Sequence, residues 1–507
     1  MLNNTVGIQH IFVLMLENRS FDHMLGFSGI AGTDAVTGAP TGIDGLKGTE
    51  SNSLNGKPYS VSRGASNIMP HDPAHEFADV VVQLCGPGAT YHGGPYPAIQ
   101  NSGFVQSYAS HFGSEPANHP GDVMNCYDTA KELPVLQALA QEFVVCDNWR
   151  ASMPGPTWPN RLFVHAASSG GLDHSPSVAE IVLWESLQGF GFKNGTIFDA
   201  FQKAGIPRRL YAGDDFPLVS ALKGITLGDI RHYSQFASDL NGPTYDYNYV
   251  LIEPSYDALN DYKNGDSQHP LGDVTQGEAL IKSTYEAIRN SPLWENSLLV
   301  IVWDEHGGFY DGGAPPAPAV APGDTAPGSE HNQTGFTFEQ YGARVPAIVI
   351  SPRIPKNLID HRLYDHSSIP ATVEALCGLK PLTARDAAAN SLHHLISLTA
   401  ARTDAPAKLP NPASAPASQP VSALTPQPAA VPTPVARPQD SASDGNVPAV
   451  VHAALRQELE VSPPEQRPAI LARAAAIKTR QQAAQYLDAV RAKVRGVRAA
   501  APGTPRA

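Results

Sequence analysis

The chain has 507 residues, of which 42% are hydrophobic and 16% charged, and its formal net charge is -13. Enough apolar residues are present to bury a large core, which excludes a wholly disordered chain. The acidic balance disfavours non-specific binding to nucleic acid, although a bound cation would invert the field inside a cleft.

The first predicted element is a strand over 8–16, built on the apolar run Ile11-Phe12-Val13-Leu14-Met15-Leu16. No basic segment precedes it, and it is too short to cross a bilayer, so it reads as a buried strand rather than a signal peptide or membrane helix. A cytoplasmic protein, one exported without a cleaved leader, and an already processed chain all fit. The stretch from Gly29 to Gly121 is rich in Gly, Pro, Asn and His and has weak periodicity. It is expected to elaborate the sheet edge and close the mouth of a site. Three further apolar runs, 142–147, 297–303 and 345–350, predict buried parallel strands. Helices are predicted over Leu133–Gln141, over Thr196–Ala204 with Thr196 as N-cap, over Gln276–Asn290, and after Asp365-His366-Ser367. Strands alternating with helices imply an α/β fold, with an open, mostly parallel sheet covered by helices on both faces.

Composition changes after Arg402. Residues 403–447, dominated by Pro, Ala, Ser and Thr, predict an exposed, disordered linker between a catalytic domain over 1–402 and a helical tail over 448–507. Pro463-Pro464 and Pro468 divide the tail into at least two helices, and its basic residues (Arg473, Lys478, Arg480, Arg491, Lys493, Arg495, Arg498) predict a solvated face. The tail is expected to be dispensable for catalysis and to serve oligomer or partner contacts. The four cysteines, Cys85, Cys126, Cys146 and Cys377, form no C-x-x-C pair and are expected to be buried free thiols.

Ligands of open α/β sheets bind beyond the carboxyl ends of the strands. The first strand ends in Glu17-Asn18-Arg19-Ser20-Phe21-Asp22-His23, and the strand at 297–303 ends in Asp304-Glu305-His306-Gly307-Gly308. The strand at 142–147 leads to Pro154-Gly155-Pro156-Thr157-Trp158-Pro159-Asn160-Arg161, a hydroxyl in a constrained turn. Carboxylate, amide and hydroxyl oxygens converging on one point would suit a hard or borderline divalent cation. Gly26-Phe27-Ser28-Gly29-Ile30 fails the G-x-S-x-G pattern of a serine esterase at its last position, and the chain has no Walker loop and no H-E-x-x-H motif.

These three segments, with His71-Asp72-Pro73-Ala74-His75-Glu76, Asp266-Ser267-Gln268-His269-Pro270 and Tyr364-Asp365-His366-Ser367-Ser368, resemble the signatures of the bacterial phosphoesterase family. That family includes phospholipases C and acid phosphatases and belongs to the alkaline phosphatase-like superfamily. The resemblance covers about residues 7–395. It implies that Glu17, Asn18, Thr157, Asp304 and Glu305 hold a divalent cation (Ca, Mg, Mn or Zn) and that Thr157 is the nucleophile. It places His269 in the active site, together with one of His71 and His75, and His269 and His75 are taken as catalytic. His232 and His306 are both candidates for a further family histidine, while His23, His232 and His366 fit buried structural roles equally well. Arg161 reads as a scaffold ion pair ahead of a phosphate clamp. The implied reaction is metal-dependent phosphoester hydrolysis through a phospho-threonine, on a phospholipid at a membrane surface or on a phosphomonoester. A degenerate, inactive binding module is the competing reading. No nucleic-acid partner and no transmembrane segment are expected.

Overall fold

The computed structural model describes residues 6–111, 119–187, 189–313, 318–324, 331–413 and 432–500. Ten strands form one sheet: β1 (His10–Leu16), β2 (Ala31–Asp34), β3 (Pro40–Gly42), β4 (Val144–Cys146), β5 (Arg208–Ala212), β6 (Ile230–His232), β7 (Tyr249–Glu253), β8 (Ser297–Trp303), β9 (Ala347–Ile350) and β10 (Leu358–Asp360). Their order across the sheet is β6-β5-β7-β1-β8-β9-β4-β10-β2-β3. Both β1 and β8 are buried along their whole length, which is why each reads as an unbroken apolar run rather than an alternating one.

β1 runs parallel to β7 and β8, whereas β9 runs antiparallel to both β8 and β4, contrary to the expectation of a parallel strand at 345–350. Val302 pairs with Ala347, so the chain leaves β8 and returns from the same end of the sheet. A parallel return needs a crossover, usually a helix, and the described residues between Trp303 and Ala347 contain none.

The helices used below are α1 (Phe77–Cys85), α2 (Pro134–Glu142), α3 (Thr157–Ala166), α4 (Ile197–Ala204), α5 (Val274–Arg289), α6 (Ser368–Cys377), α7 (Val447–Glu460), α8 (Arg467–Ala475) and α9 (Arg480–Ala500). Thr196 caps α4 as expected, in a capping box with Asp199. The Gly29–Gly121 stretch contributes β2, β3, α1 and a small hairpin pairing Ser51–Leu54 with Lys57–Ser60. Cys85, Cys126 and Cys146 are buried free thiols, and Cys377 is partly exposed. No helix among the described residues is long and apolar enough to cross a membrane.

The end of the chain lies against the sheet domain. Of residues 403–447, those at 414–431 lie outside the described set, and the rest make specific contacts. Tyr285 and Arg289 of α5 donate to the carbonyls of Pro406 and Ala405, and Lys282 donates to that of Leu409. A proline-rich segment lacks N–H donors but keeps every carbonyl acceptor, and composition cannot show that those acceptors are used. The basic tail residues also differ from a solvated face. Arg491 pairs with Asp215 at 2.6 Å, Arg480 with Asp261 at 3.1 Å, and Lys493 with Glu458 at 3.0 Å.

Candidate active site

Adjacent parallel strands that end in register carry their next residues to one place. Leu16 pairs with Trp303, so Glu17 and Asn18 emerge beside Asp304 and Glu305 at the carboxyl edge of the sheet. Asn18 adopts a left-handed backbone (φ 59°), which turns its side chain back over the strand end. Its backbone N–H donates to Asp304 Oδ1 at 3.2 Å. Two glycines let the facing loops close. A Cβ on Gly307 would lie 2.2 Å from the Asn18 carbonyl oxygen, and one on Gly308 would lie 2.8 Å from that of Ala74.

Thr157 opens α3 and is buried. The preceding Pro154-Gly155-Pro156 turn is fixed by Asn160, whose amide donates to the carbonyls of Met153, Gly155 and Pro156 and accepts from Met153 N–H at 3.1 Å. One turn further along α3, Arg161 donates to Asp304 Oδ2 at 2.9 Å and to the Leu16 carbonyl at 3.1 Å. It also lies 3.7 Å from Glu17 Oε2, so it is bound up in ion pairs with the site's own carboxylates.

Asn18 Nδ2 donates to Thr157 Oγ1 at 3.0 Å and makes a very short contact with Glu305 Oε1. Asn18 Oδ1 and Glu17 Oε1 are both buried and have no hydrogen-bond partner. Half a turn of the Asn18 amide would put Oδ1 among the oxygens of Thr157, Asp304 and Glu305, an arrangement that only a cation would hold together. The charges agree. Burial raises the Glu17 carboxyl well above the usual carboxylate range, Arg161 working against the shift and Asp304 with it. Burial likewise raises Glu305, opposed by His75 and reinforced by Asp304, and it raises Asp304 despite Arg161. Three carboxylates compressed in this way gain from a divalent cation, so the donor set fits one. Among the described residues no three His, Cys, Asp or Glu side chains alone form a metal-holding group. The set depends on the neutral oxygens of Asn18 and Thr157, as an open site completed by substrate would.

Two of the predicted histidines join this cluster. His75 Nε2 is 3.9 Å from Glu305 Oε1, and its Nδ1 is 2.7 Å from the Pro73 carbonyl. Burial opposes its charge, but the Glu305 and Asp72 carboxylates outweigh burial and lift it to about 10. His269 Nε2 is 3.5 Å from Asp72 Oδ2, its Nδ1 accepts from Leu271 N–H, and its ring stacks on Tyr262 at 3.4 Å. Burial, with the neighbouring charges of His75 and Arg19, holds His269 well below the usual histidine range. Arg19 fixes the loop by donating to the carbonyls of Gln268 and His269.

The other histidines are placed differently. His306 Nδ1 lies 3.5 Å from Glu305 Oε2 and its Nε2 is 2.7 Å from Gln83 Oε1, in a buried pocket against Phe104. His232 sits on β6, three strands from β1, beside a separate cavity of about 240 Å³ that Asp214 and Asp257 also line. His232 does not reach Thr157's cluster, because it stands at the edge of the sheet, whereas His306 borders the cluster through Glu305. His71 is partly exposed. His366 Nε2 is 2.5 Å from the Asp304 carbonyl and braces it from behind, and His23 stacks on Phe309 at 3.8 Å. Asp72, Tyr262 and Asn446 were not singled out from the sequence. Asp72 stands between His71 and His75, and that adjacency is its one signal in the sequence.

The sequence model of the Phosphoesterase family matches residues 8–380 of this chain. The chain belongs to the phosphoesterase family. Non-specific phospholipase C3 of Arabidopsis thaliana is 35% identical over 423 residues, covering 80% of this phosphoesterase and 76% of the relative. Phospholipase C B of Mycobacterium tuberculosis (strain ATCC 25618 / H37Rv) is 28% identical over 411 residues, covering 73% and 74%. A solved alkaline phosphatase superfamily protein from Vibrio parahaemolyticus aligns at 14% identity and a TM-score of 0.32, over 51% of this chain and 64% of that one. The protein is a hydrolase acting on phosphoester bonds.

Proposed function

We propose that this phosphoesterase cleaves the phosphodiester of phospholipids in the manner of a phospholipase C, with Thr157 as nucleophile. The observation that carries the reading is the placing of Thr157 Oγ1 3.0 Å from Asn18 Nδ2, inside the same buried oxygen cluster as Glu17, Asp304 and Glu305. The relatives named phospholipases C support the substrate class. Glu17, Asn18, Thr157, Asp304 and Glu305 would hold the cation, and their all-oxygen character suits Ca²⁺, Mg²⁺ or Mn²⁺ ahead of Zn²⁺. When bound, the cation favours the Thr157 alkoxide and neutralises developing charge on phosphate oxygens.

Thr157 Oγ attacks phosphorus, forming an Oγ–P bond as the bond from phosphorus to the diacylglycerol oxygen breaks. His75 holds its Nδ1 hydrogen on the Pro73 carbonyl and presents Nε2–H to the site, so it protonates the departing oxygen. The proton that Thr157 Oγ loses on attack passes to solvent. Water then attacks the phospho-threonine, its oxygen bonding phosphorus as the Oγ–P bond breaks and one of its protons returning to Thr157 Oγ; the phosphorylated headgroup leaves and His75 takes a proton back from solvent. His269, 3.5 Å from Asp72 Oδ2, lies on the loop that faces this chemistry.

Purified protein given phosphatidylcholine vesicles and, separately, p-nitrophenyl phosphate tests the reading. Release of diacylglycerol and phosphocholine supports it. Turnover of the monoester alone would make the protein an acid phosphatase, and turnover of neither by cation-loaded protein would leave a binding module.

A further inference from the structure

Glu17 is held asymmetrically. Its Oε2 accepts from Asn446 Nδ2 at 2.8 Å and lies 3.7 Å from Arg161, while its Oε1 has no partner. Asn446 lies 429 positions away in sequence, beyond the proline-rich stretch and immediately before α7, and it is 4% exposed. Its backbone N–H donates to the Tyr262 hydroxyl at 3.4 Å, and Tyr262 is the ring stacked on His269. One residue therefore touches the first carboxylate of the site and the platform under its histidine. Gly445, at φ 55°, lets the backbone turn there, and its Cβ position is 3.4 Å from the same hydroxyl.

The segment is fastened on both sides of Asn446. Before it, Arg437 pairs with Asp261 at 2.8 Å, next to Tyr262 in sequence. After it, His452 stacks on Trp158, the neighbour of Thr157, with ring centres 5.8 Å apart and planes at 11°, and its Nε2 is 3.0 Å from Glu185. α9 adds the Arg491–Asp215 pair.

We propose that Asn446, at the start of α7, is a positioning residue for Glu17; this rests on the reading of Glu17 as a cation ligand. Occupying Oε2 fixes the carboxylate's rotation and leaves Oε1 as the free donor. Groups that orient a metal ligand in this way change metal affinity by about 10- to 100-fold when removed.

The test is Mn²⁺ titration of chelator-stripped full-length protein, with free Mn²⁺ read by electron paramagnetic resonance. It compares wild type, Asn446→Ala, Asn446→Leu and Arg491→Ala, with a thermal melt of each. Leu matches Asn in size and keeps the backbone bond to Tyr262, while Arg491→Ala loosens the tail without touching Glu17. The expected result is Mn²⁺ binding weakened about 10- to 100-fold in both Asn446 variants, with affinity within threefold of wild type in Arg491→Ala. Affinity within threefold of wild type in Asn446→Leu overturns the proposal, as does equal weakening in Arg491→Ala, which would assign the effect to docking alone. Wild type that binds no Mn²⁺ and is not activated by it would overturn the cation reading itself, a different result from either.

Discussion

Replacing Gly307 by Ala should damage catalysis by displacing Asn18. Gly307 has φ +64°, a conformation that costs an L-residue on the order of 1–2 kcal/mol. A methyl group there would lie 2.2 Å from the Asn18 carbonyl oxygen. Ordinary carbon–oxygen contacts need roughly 1 Å more than this, and the obstacle is backbone, so Asn18 itself must move. Asn18 carries the amide that meets Thr157, Asp304 and Glu305. A displacement of about 1 Å in a catalytic arrangement costs on the order of 100-fold in rate, or about 2.7 kcal/mol of barrier. Gly48→Ala is the control, since Gly48 has φ +84° with nothing within 4 Å of its Cβ and reports backbone strain alone. Urea unfolding should show Gly307→Ala losing about 1–3 kcal/mol more than Gly48→Ala, the cost of the backbone clash, and kcat on p-nitrophenyl phosphate should fall about 100-fold only in Gly307→Ala. A Gly307→Ala enzyme within about threefold of wild type would refute the claim that the Asp304–Gly308 segment positions Asn18 by close backbone contact.

Dialysis against EDTA should inactivate the enzyme and a divalent cation restore it, because three buried carboxylates face one another across the site; full activity in protein shown metal-free by elemental analysis would contradict this. Asp360 gives a pH prediction. Burial tends to raise its carboxyl, but hydrogen bonds from His394, Arg362 and Tyr364 prevail and hold it below the usual carboxylate range. A depressed carboxyl contributes stability that is complete above its unfolded pKa of about 3.9 and is lost as pH falls through the folded value. Asp360→Asn should therefore cost about 1–3 kcal/mol at pH 7, and the difference from wild type should shrink on acidification below about pH 4. Urea melts at pH 7 and pH 3 decide, and a constant difference would mean that the charge plays no part.

Much of the site was legible because its residues follow apolar strands directly. β1 and β8 announce themselves as unbroken apolar runs, so the acids after them had to lie at one edge of the sheet. Their adjacency in the sheet, which brings Glu17 next to Asp304, depends on strand order, and a single sequence does not encode that order locally. The direction of β9 was missed because buried strands of either direction read alike. The histidines were harder. His306 follows Glu305 directly and borders its carboxylate while Gln83 holds its other nitrogen, so adjacency in sequence alone does not separate a reacting histidine from a bracing one. Asn446 was invisible for a different reason: the low apolar content of the stretch before it argues against packing, but the helix it opens buries Val447, Val451 and Leu455 in the core of the sheet domain and carries the amide there with it.

The central claim is that Thr157 carries the phosphoryl group. Rapid acid quench of the enzyme during steady turnover of p-nitrophenyl phosphate, followed by peptide mass spectrometry, tests it most directly. The account predicts a phosphoryl group on Thr157 at a fraction of sites that rises with substrate, and neither adduct nor turnover in a normally melting Thr157→Ala. Residual activity of Thr157→Ala within about tenfold of wild type, a barrier change of only about 1.4 kcal/mol, or a phosphoryl group trapped on another residue, would contradict it.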